Sequence, residues 1–417
     1  MFKDKILVVQ SAVDWTTREQ SSVRFAGGVT GTDFAEDSAR YLNGAYTLTA
    51  AEDWIANTQG NNDRWGIPEG SSISLPFSSD TSELALGEHS DVVGGAFTAA
   101  VVRTSARICC WNLGEYVVTE ELAVTLPGAD SHLAYRGSDG AFKFERLTLG
   151  DNGSAKRFFF ANSGSYYYDK ILFIGAGGIG FAENANADTR YVCGRDNQAN
   201  DKTFIRPWYS DFTIGTKPGT ERDFCINRPT HIGTQDEKGI ARTVTADAVL
   251  YSGTDPELYI EGNGRFVVNG VNMLDGPVEV KDTATLAINE GKVLTSGSVT
   301  VDSGATLEIA SGVNTFGGLE LKENSTIVFK FTNRAVAPQI AIADGKTLTA
   351  NGAVTVKISG DVRPAGGVKA LTACGGFDGV AVTLADGAPE WVRGLSVNED
   401  GNIVLDVKPM GTEIIIR

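Results

Sequence analysis

Five copies of one phrase, LYIEGNGRFVV (258–268), VEVKDTATLAI (278–288), VTVDSGATLEI (299–309), LELKENSTIVF (319–329) and IAIADGKTLTA (340–350), decide how this chain is read. Their first apolar residues, Leu258, Val278, Val299, Leu319 and Ile340, are 20, 21, 20 and 21 residues apart. Two further columns keep the step: Ile260, Val280, Val301, Leu321 and Ile342, and then Phe266, Leu286, Leu307, Ile327 and Leu348. A fixed period in this range belongs to a solenoid, whose small units bury their apolar sides only by stacking on one another.

Within a copy, apolar and polar residues alternate, as in Val299-Thr300-Val301 and Leu307-Glu308-Ile309. That is the two-residue period of a strand with one buried face. The four residues joining the two short strands, Lys281 to Ala284 or Asp302 to Ala305, are small and polar in the manner of turns. An all-β fold follows, a parallel β-helix with coils of 20–21 residues in which like side chains stack about 4.8 Å apart. Thr285, Thr306, Thr326 and Thr347 are expected to form one such ladder. A leucine-rich horseshoe has a similar period, but its Leu-x-x-Leu-x-Leu run and fixed Asn or Cys do not occur in these copies.

Outward from the repeats, the chain divides into four parts. Residues 1–76 show no repeat and read as an N-terminal cap or a small β domain, with a short helix over Leu48 to Asn57 capped by Thr49. Residues 77–252 read as irregular coils with extruded loops, and residues 253–352 as the regular coils. Residues 353–417 hold the last coils and a closing hairpin whose turn is Glu399-Asp-Gly-Asn402. Caps are needed because the open end of a stack exposes unpaired strand edges.

The 52 carboxylates outnumber the 36 lysines and arginines and give a formal charge of -16. Such a surface repels phosphate backbones and anionic membranes, so nucleic acid is not an expected partner. No apolar run approaches the roughly 18 residues of a membrane-spanning helix. Cys109, Cys110, Cys193, Cys225 and Cys374 are too scattered for a disulfide framework or metal cluster and read as buried thiols. His89, His132 and His231 lack the spacing of a zinc site, so neither metal nor cofactor is expected. Met1 to Val9 carries four consecutive apolar residues, short of a secretory signal, which implies either a cytoplasmic protein or a start that is not the natural one.

Gly175-Ala-Gly177-Gly-Ile-Gly180 matches a dinucleotide-binding fingerprint, yet the residues that follow lack the apolar stripe of the required helix. It reads instead as a turn between Ile171 to Ile174 and Ile179 to Phe181. No G-x-S-x-G elbow is present. Aromatic clusters are the stronger hint: Tyr166, Tyr167 and Tyr168, and Trp208 with Tyr209, are candidate ligand-binding residues. Flat rings with polar tips suit a sugar-binding groove, and rings of this kind more often cover apolar edges where loops leave a stack.

The run from Leu258 to Asn272, Gly276-Pro-Val-Glu-Val280, Ser303-Gly-Ala-Thr-Leu307 and Ile174-Gly-Ala-Gly-Gly-Ile179 together resemble the autotransporter-associated β-strand repeats of bacterial passenger domains. The likeness covers about half of the chain. It implies a right-handed β-helix exported to the bacterial surface or beyond, usually a stalk or adhesin. The family's membrane barrel has no counterpart in Glu413-Ile-Ile-Ile-Arg417. The expectation is a non-enzymatic, extracellular or cell-surface protein whose loops bind glycans or host and matrix proteins. The alternative is a carbohydrate-active β-helix, a polysaccharide lyase or glycoside hydrolase. Oligomeric state is left open.

Overall fold

The computed structural model describes backbone and side chains for residues 117–124, 141–150, 171–181, 191–194, 202–215, 224–270, 274–290, 297–360 and 362–409. For a further set of strand residues, most of them between residues 2 and 162, it describes the backbone alone. Every regular element among the described residues is a β-strand, and no helix there is long and apolar enough to cross a membrane. The expected helix over Leu48 to Asn57 lies outside the described residues. Two compact units, Met1–His231 and Ile232–Arg417, make up the chain.

From Gly94 to Pro207 successive strands alternate between two parallel sheets. One sheet takes Gly94–Thr104, Leu113–Leu126, Ala141–Asp151, Ile171–Phe181 and Thr203–Pro207. The other takes Arg107–Trp111, Asp130–Arg136, Arg157–Asn162, Arg190–Cys193 and Asp223–Ile226. In the first sheet Leu122, Leu147, Ile179 and Ile214 stand in register and are all buried, at steps of 25, 32 and 35 residues. Unequal excursions therefore return to one apolar file. Burial of that file is the favourable term, because apolar area leaves water at every step. Tyr191, fully buried in the second sheet, donates its hydroxyl to the Gly180 carbonyl at 2.8 Å, which satisfies a polar group that the core would otherwise strand.

The second unit contains the repeats. Leu258 pairs with Val278, Val278 with Val299 and Val299 with Leu319 in parallel register. Phe266, Leu286, Leu307 and Ile327 form a second file the same way. All eight side chains are buried. The turns between the two files close with amide-to-carbonyl bonds from Ala284 to Lys281 (3.1 Å), Ala305 to Asp302 (3.0 Å) and Ser325 to Lys322 (3.0 Å). Each turn uses one residue at positive φ: Asp282 (56°), Gly304 (83°) and Asn324 (63°). Only Gly, Asn and Asp adopt that conformation at low cost, which is why these residue types recur there.

The fifth copy departs from the expected period. Leu319 pairs with Leu348 rather than Ile340, and Ile327 with Val356, a step of 29 residues. Ile340 stands opposite Asn314 in a separate parallel pair, Gly312–Phe316 with Pro338–Ile342. The threonine ladder accordingly passes through Thr355, not Thr347, and continues to Thr383. Thr332 and Asn333 turn the chain outward before this added strand, and both donate their amides to Ser311 Oγ at 3.0 Å. An Ile-Ala-Ile run satisfies any half-buried strand, so its pattern could not tell one sheet from the other.

Polar side chains also stack in this unit. Asn269 donates to Asp247 at 2.6 Å, and Asn289 donates to Asn269 at 3.0 Å. The C-terminal hairpin stands where it was expected: Val392–Val397 runs antiparallel to Ile403–Val407, and Gly367–Ala370 pairs on the far side of the latter. Asn398 shapes the turn by accepting the amides of Asp400 (3.1 Å) and Asn402 (2.9 Å).

Candidate functional site

The candidate site is built on the solvent side of the first unit's sheet. In Thr203–Pro207, Thr203, Ile205 and Pro207 are buried, whereas Phe204 and Arg206 are half-buried. That alternation turns Phe204 and Arg206 to the outer face. Register brings Ala141, Ile171 and Phe204 into one outer file, and Lys143, Phe173 and Arg206 into the next. Glu145 follows Lys143, and Trp208 follows Arg206, one outward step further along.

Rings and charges interleave on this face. The Phe204 ring stacks on His231, with centroids 4.4 Å apart and planes inclined by 16°. Lys143 Nζ lies 5.8 Å from the centre of the Phe173 ring, within reach of a cation–π attraction. Trp208 and Tyr209 meet edge to face at 5.4 Å. The Trp208 amide donates to the Ile174 carbonyl at 2.8 Å, which fixes the pair against the neighbouring strand.

Glu145 is the residue that ties the site together. Between Phe144↔Ile174 and Arg146↔Gly178 the register shifts, so Glu145 alone faces Gly175, Ala176 and Gly177. One carboxylate oxygen accepts the Gly177 amide at 3.1 Å, and the other accepts the Tyr209 hydroxyl. A Cβ on Gly175 would overlap that carboxylate, and one on Gly177 would overlap Arg146, so both glycines are required by close approach. The hydrogen bond to Glu145, reinforced by burial and by the carboxylate's charge, pushes the Tyr209 hydroxyl up to about 12. The phenol thus stays protonated and oriented across the physiological range.

The glycine motif is therefore neither a nucleotide cradle nor a turn. It is a bulge inside one continuous strand, Ile171–Phe181, that opens room for a neighbour's side chain. Of the candidate binding residues, Trp208 and Tyr209 are brought together, and Tyr209 is 47% exposed. Tyr166, Tyr167 and Tyr168 lie outside the described residues. Glu145, Lys143 and Arg206 were not foreseen, because their meeting depends on register across separations of 30 residues or more. Cys193 and Cys225 are buried, and burial pushes the half-buried Cys374 thiol up. Among the described residues no group of three or more His, Cys, Asp or Glu side chains is placed to hold a metal ion.

Chemically, the face offers ring surfaces for the apolar side of a ligand, cations for an anionic group, and a locked phenol–carboxylate pair for hydroxyls. No protein-family profile, curated protein or solved structure matches the chain.

Proposed function

We propose that this chain is a non-enzymatic, extracellular or cell-surface protein of bacteria, a right-handed parallel β-helix whose regular coils of 20–21 residues form a stalk and whose outer face binds carbohydrate. The observation that carries the binding reading is the Trp208–Tyr209 ring pair, held edge to face and anchored through Tyr209 to Glu145. A sugar has an apolar C–H face and a rim of hydroxyls, and such a ring pair beside a carboxylate answers both. The stalk reading is supported by the file from Leu258 to Leu319, which grows by repetition and needs no other core. Surface localisation follows from the resemblance of the repeats to passenger domains.

The test is a glycan-array screen of the full chain beside Trp208→Ala and Tyr209→Phe, with release of sugar ends monitored on every glycan bound. Binding without turnover, lost in Trp208→Ala, is the expected outcome. Turnover would replace this reading with that of a polysaccharide-degrading enzyme. Binding unaffected by Trp208→Ala would move the site elsewhere.

A further inference from the structure

Three Asn-Gly steps fall among the described residues, Asn263–Gly264, Asn269–Gly270 and Asn351–Gly352, and the fold treats them differently. Two others, Asn43–Gly44 and Asn152–Gly153, lie outside the described residues. The structure assigns Asn351 as a site of self-modification, where the backbone nitrogen of Gly352 attacks the side-chain amide and converts it to a carboxylate. This stands apart from the carbohydrate-binding reading and does not depend on it.

Glycine in second place favours the reaction because no Cβ shields its nitrogen or restricts its backbone. The Gly352 nitrogen bonds to Asn351 Cγ and gives its proton to solvent base. The Cγ–Nδ2 bond then breaks, and the nitrogen takes a proton from water and leaves as ammonia. Water opens the resulting five-membered imide at either carbonyl, giving aspartate or the isomer whose main chain runs through the side chain. Water is the one co-reactant, and nothing is oxidised or reduced. What a fold controls is whether the glycine nitrogen is free of a hydrogen bond and able to move.

At the first two steps it is not. The Gly264 amide donates to the buried Thr234 Oγ1 at 3.0 Å, and the carbonyls of Arg242 and Thr234 crowd its Cα from close range. The Gly270 amide donates to the Ala246 carbonyl at 2.8 Å, and the Asn269 side chain is held twice, donating to Asp247 at 2.6 Å and accepting from Asn289 at 3.0 Å. At the third step Asn351 and Gly352 are both exposed, and the Gly352 amide finds no acceptor among the described residues. Gly352 stands at φ 79°, and the atoms crowding it all belong to the flexible side chain of Glu323. One hydrogen bond restrains the Asn351 amide group, from Nδ2 to Glu320 Oε1 at 3.2 Å.

Conversion would act on the coil around it. Glu320 would lose that donor and face a like charge instead. The isomer would add one backbone atom between Leu348–Ala350 and Val354–Ser359, where the chain rejoins the stack after its detour. The Ala353 carbonyl accepts the Asn324 amide at 2.8 Å, which ties this stretch to the preceding turn.

The experiment ages the full chain in 18O-labelled water at neutral and mildly alkaline pH and follows each asparagine by peptide mass spectrometry. Labelled acid should appear at Asn351 about fivefold or more faster than at Asn263 and Asn269, the factor for opening one hydrogen bond before attack. The rate should rise with pH. In urea the three rates should converge, because the difference is made by the fold. Thr234→Val, which removes the acceptor of the Gly264 amide, should raise conversion at Asn263 toward that of Asn351, with circular dichroism reporting whether the variant folds. If it does not fold, the comparison within the parent chain decides alone. Equal rates at the three sites of the folded chain, faster conversion at Asn263 or Asn269, or an amide retained at Asn351 throughout would each overturn the assignment.

Discussion

Arg265 and Glu308, two strands apart on the outer face of the second unit, meet in a bidentate ion pair with Nη1–Oε2 at 2.7 Å and Nη2–Oε1 at 2.8 Å. The residues between them in register are Thr285 and, beneath the guanidinium's path to Glu308, Ala287, whose small side chain is itself buried. One long side chain thus spans a whole intervening strand. Fork-to-fork pairing of this kind fixes geometry as well as charge, so lysine is not an equivalent at position 265.

Glu308→Gln is expected to destabilise the second unit by about 1–3 kcal/mol. Breaking a buried pair costs about 3–5 kcal/mol, and the figure is lowered because water screens part of this one; the Arg265 side chain keeps 38% of its exposure. Burial raises the Glu308 pKa, but Arg265's hydrogen bonds and charge, with Lys330 and Lys357 behind them, outweigh burial and hold it below its ordinary 4.5. The folded state therefore binds this proton less tightly than the unfolded chain. Its contribution is complete above the ordinary value and is lost as pH falls through the lowered folded value. Melting curves taken from neutral to acid pH should show that loss in the parent chain and a flatter profile in Glu308→Gln.

Leu307→Ala should cost about 2–5 kcal/mol, the range for removing a large side chain from a core that relaxes only partly. Leu307 is buried between Leu286 and Ile327 in its file, so neighbours above and below both lose contacts. Urea unfolding gives the measurement, and an unchanged midpoint would remove the stacked core from the account.

Asn324 stands at φ 63° in a turn otherwise closed by the Ser325 to Lys322 hydrogen bond. Asn324→Gly should leave stability within a few tenths of a kcal/mol or raise it slightly, whereas Asn324→Val should cost about 1–2 kcal/mol, the penalty of a branched residue in that conformation. Differential melting of the two variants separates backbone strain from loss of a side chain.

Tyr209 should titrate at about 12. In Glu145→Gln it should fall back toward the ordinary 10, since the hydrogen bond to a carboxylate is the first cause of the shift and its negative charge another. Gly175→Ala should give a smaller fall, because the added methyl displaces the carboxylate from the hydroxyl but leaves its charge on the chain. Ultraviolet titration of phenolate formation, with Tyr209→Phe subtracted to isolate one of 11 tyrosines, provides the readout.

The parts of this molecule that depend on local repetition were open to reading from residues alone. Val278, Val299 and Leu319 align because each sits at the same point of a phrase with one repeated pattern, and Asp282, Gly304 and Asn324 could be placed in turns because few residues accept their backbone angles. Ile340 misled for the converse reason: its phrase is in rhythm, but the excursion at Thr332 and Asn333 adds a strand that the rhythm does not record. Glu145 was hidden because its partners, Gly177 and Tyr209, lie 32 and 64 residues away. The one local trace of it was the pair Gly175 and Gly177. Glycines inside a strand mark a place where something must come close, but in sequence they look the same as the glycines of a turn.

From Thr326 to Thr355 the chain takes a detour, lays down an extra ribbon, and lands again in step with what came before. A fold that forgives such a digression can be revised one rung at a time. New recognition features can be inserted where the path leaves the stack, near Ala335, and the rungs on either side keep their places. Variation in this architecture is thus free to accumulate in length as well as in side chains, and designers have the same freedom.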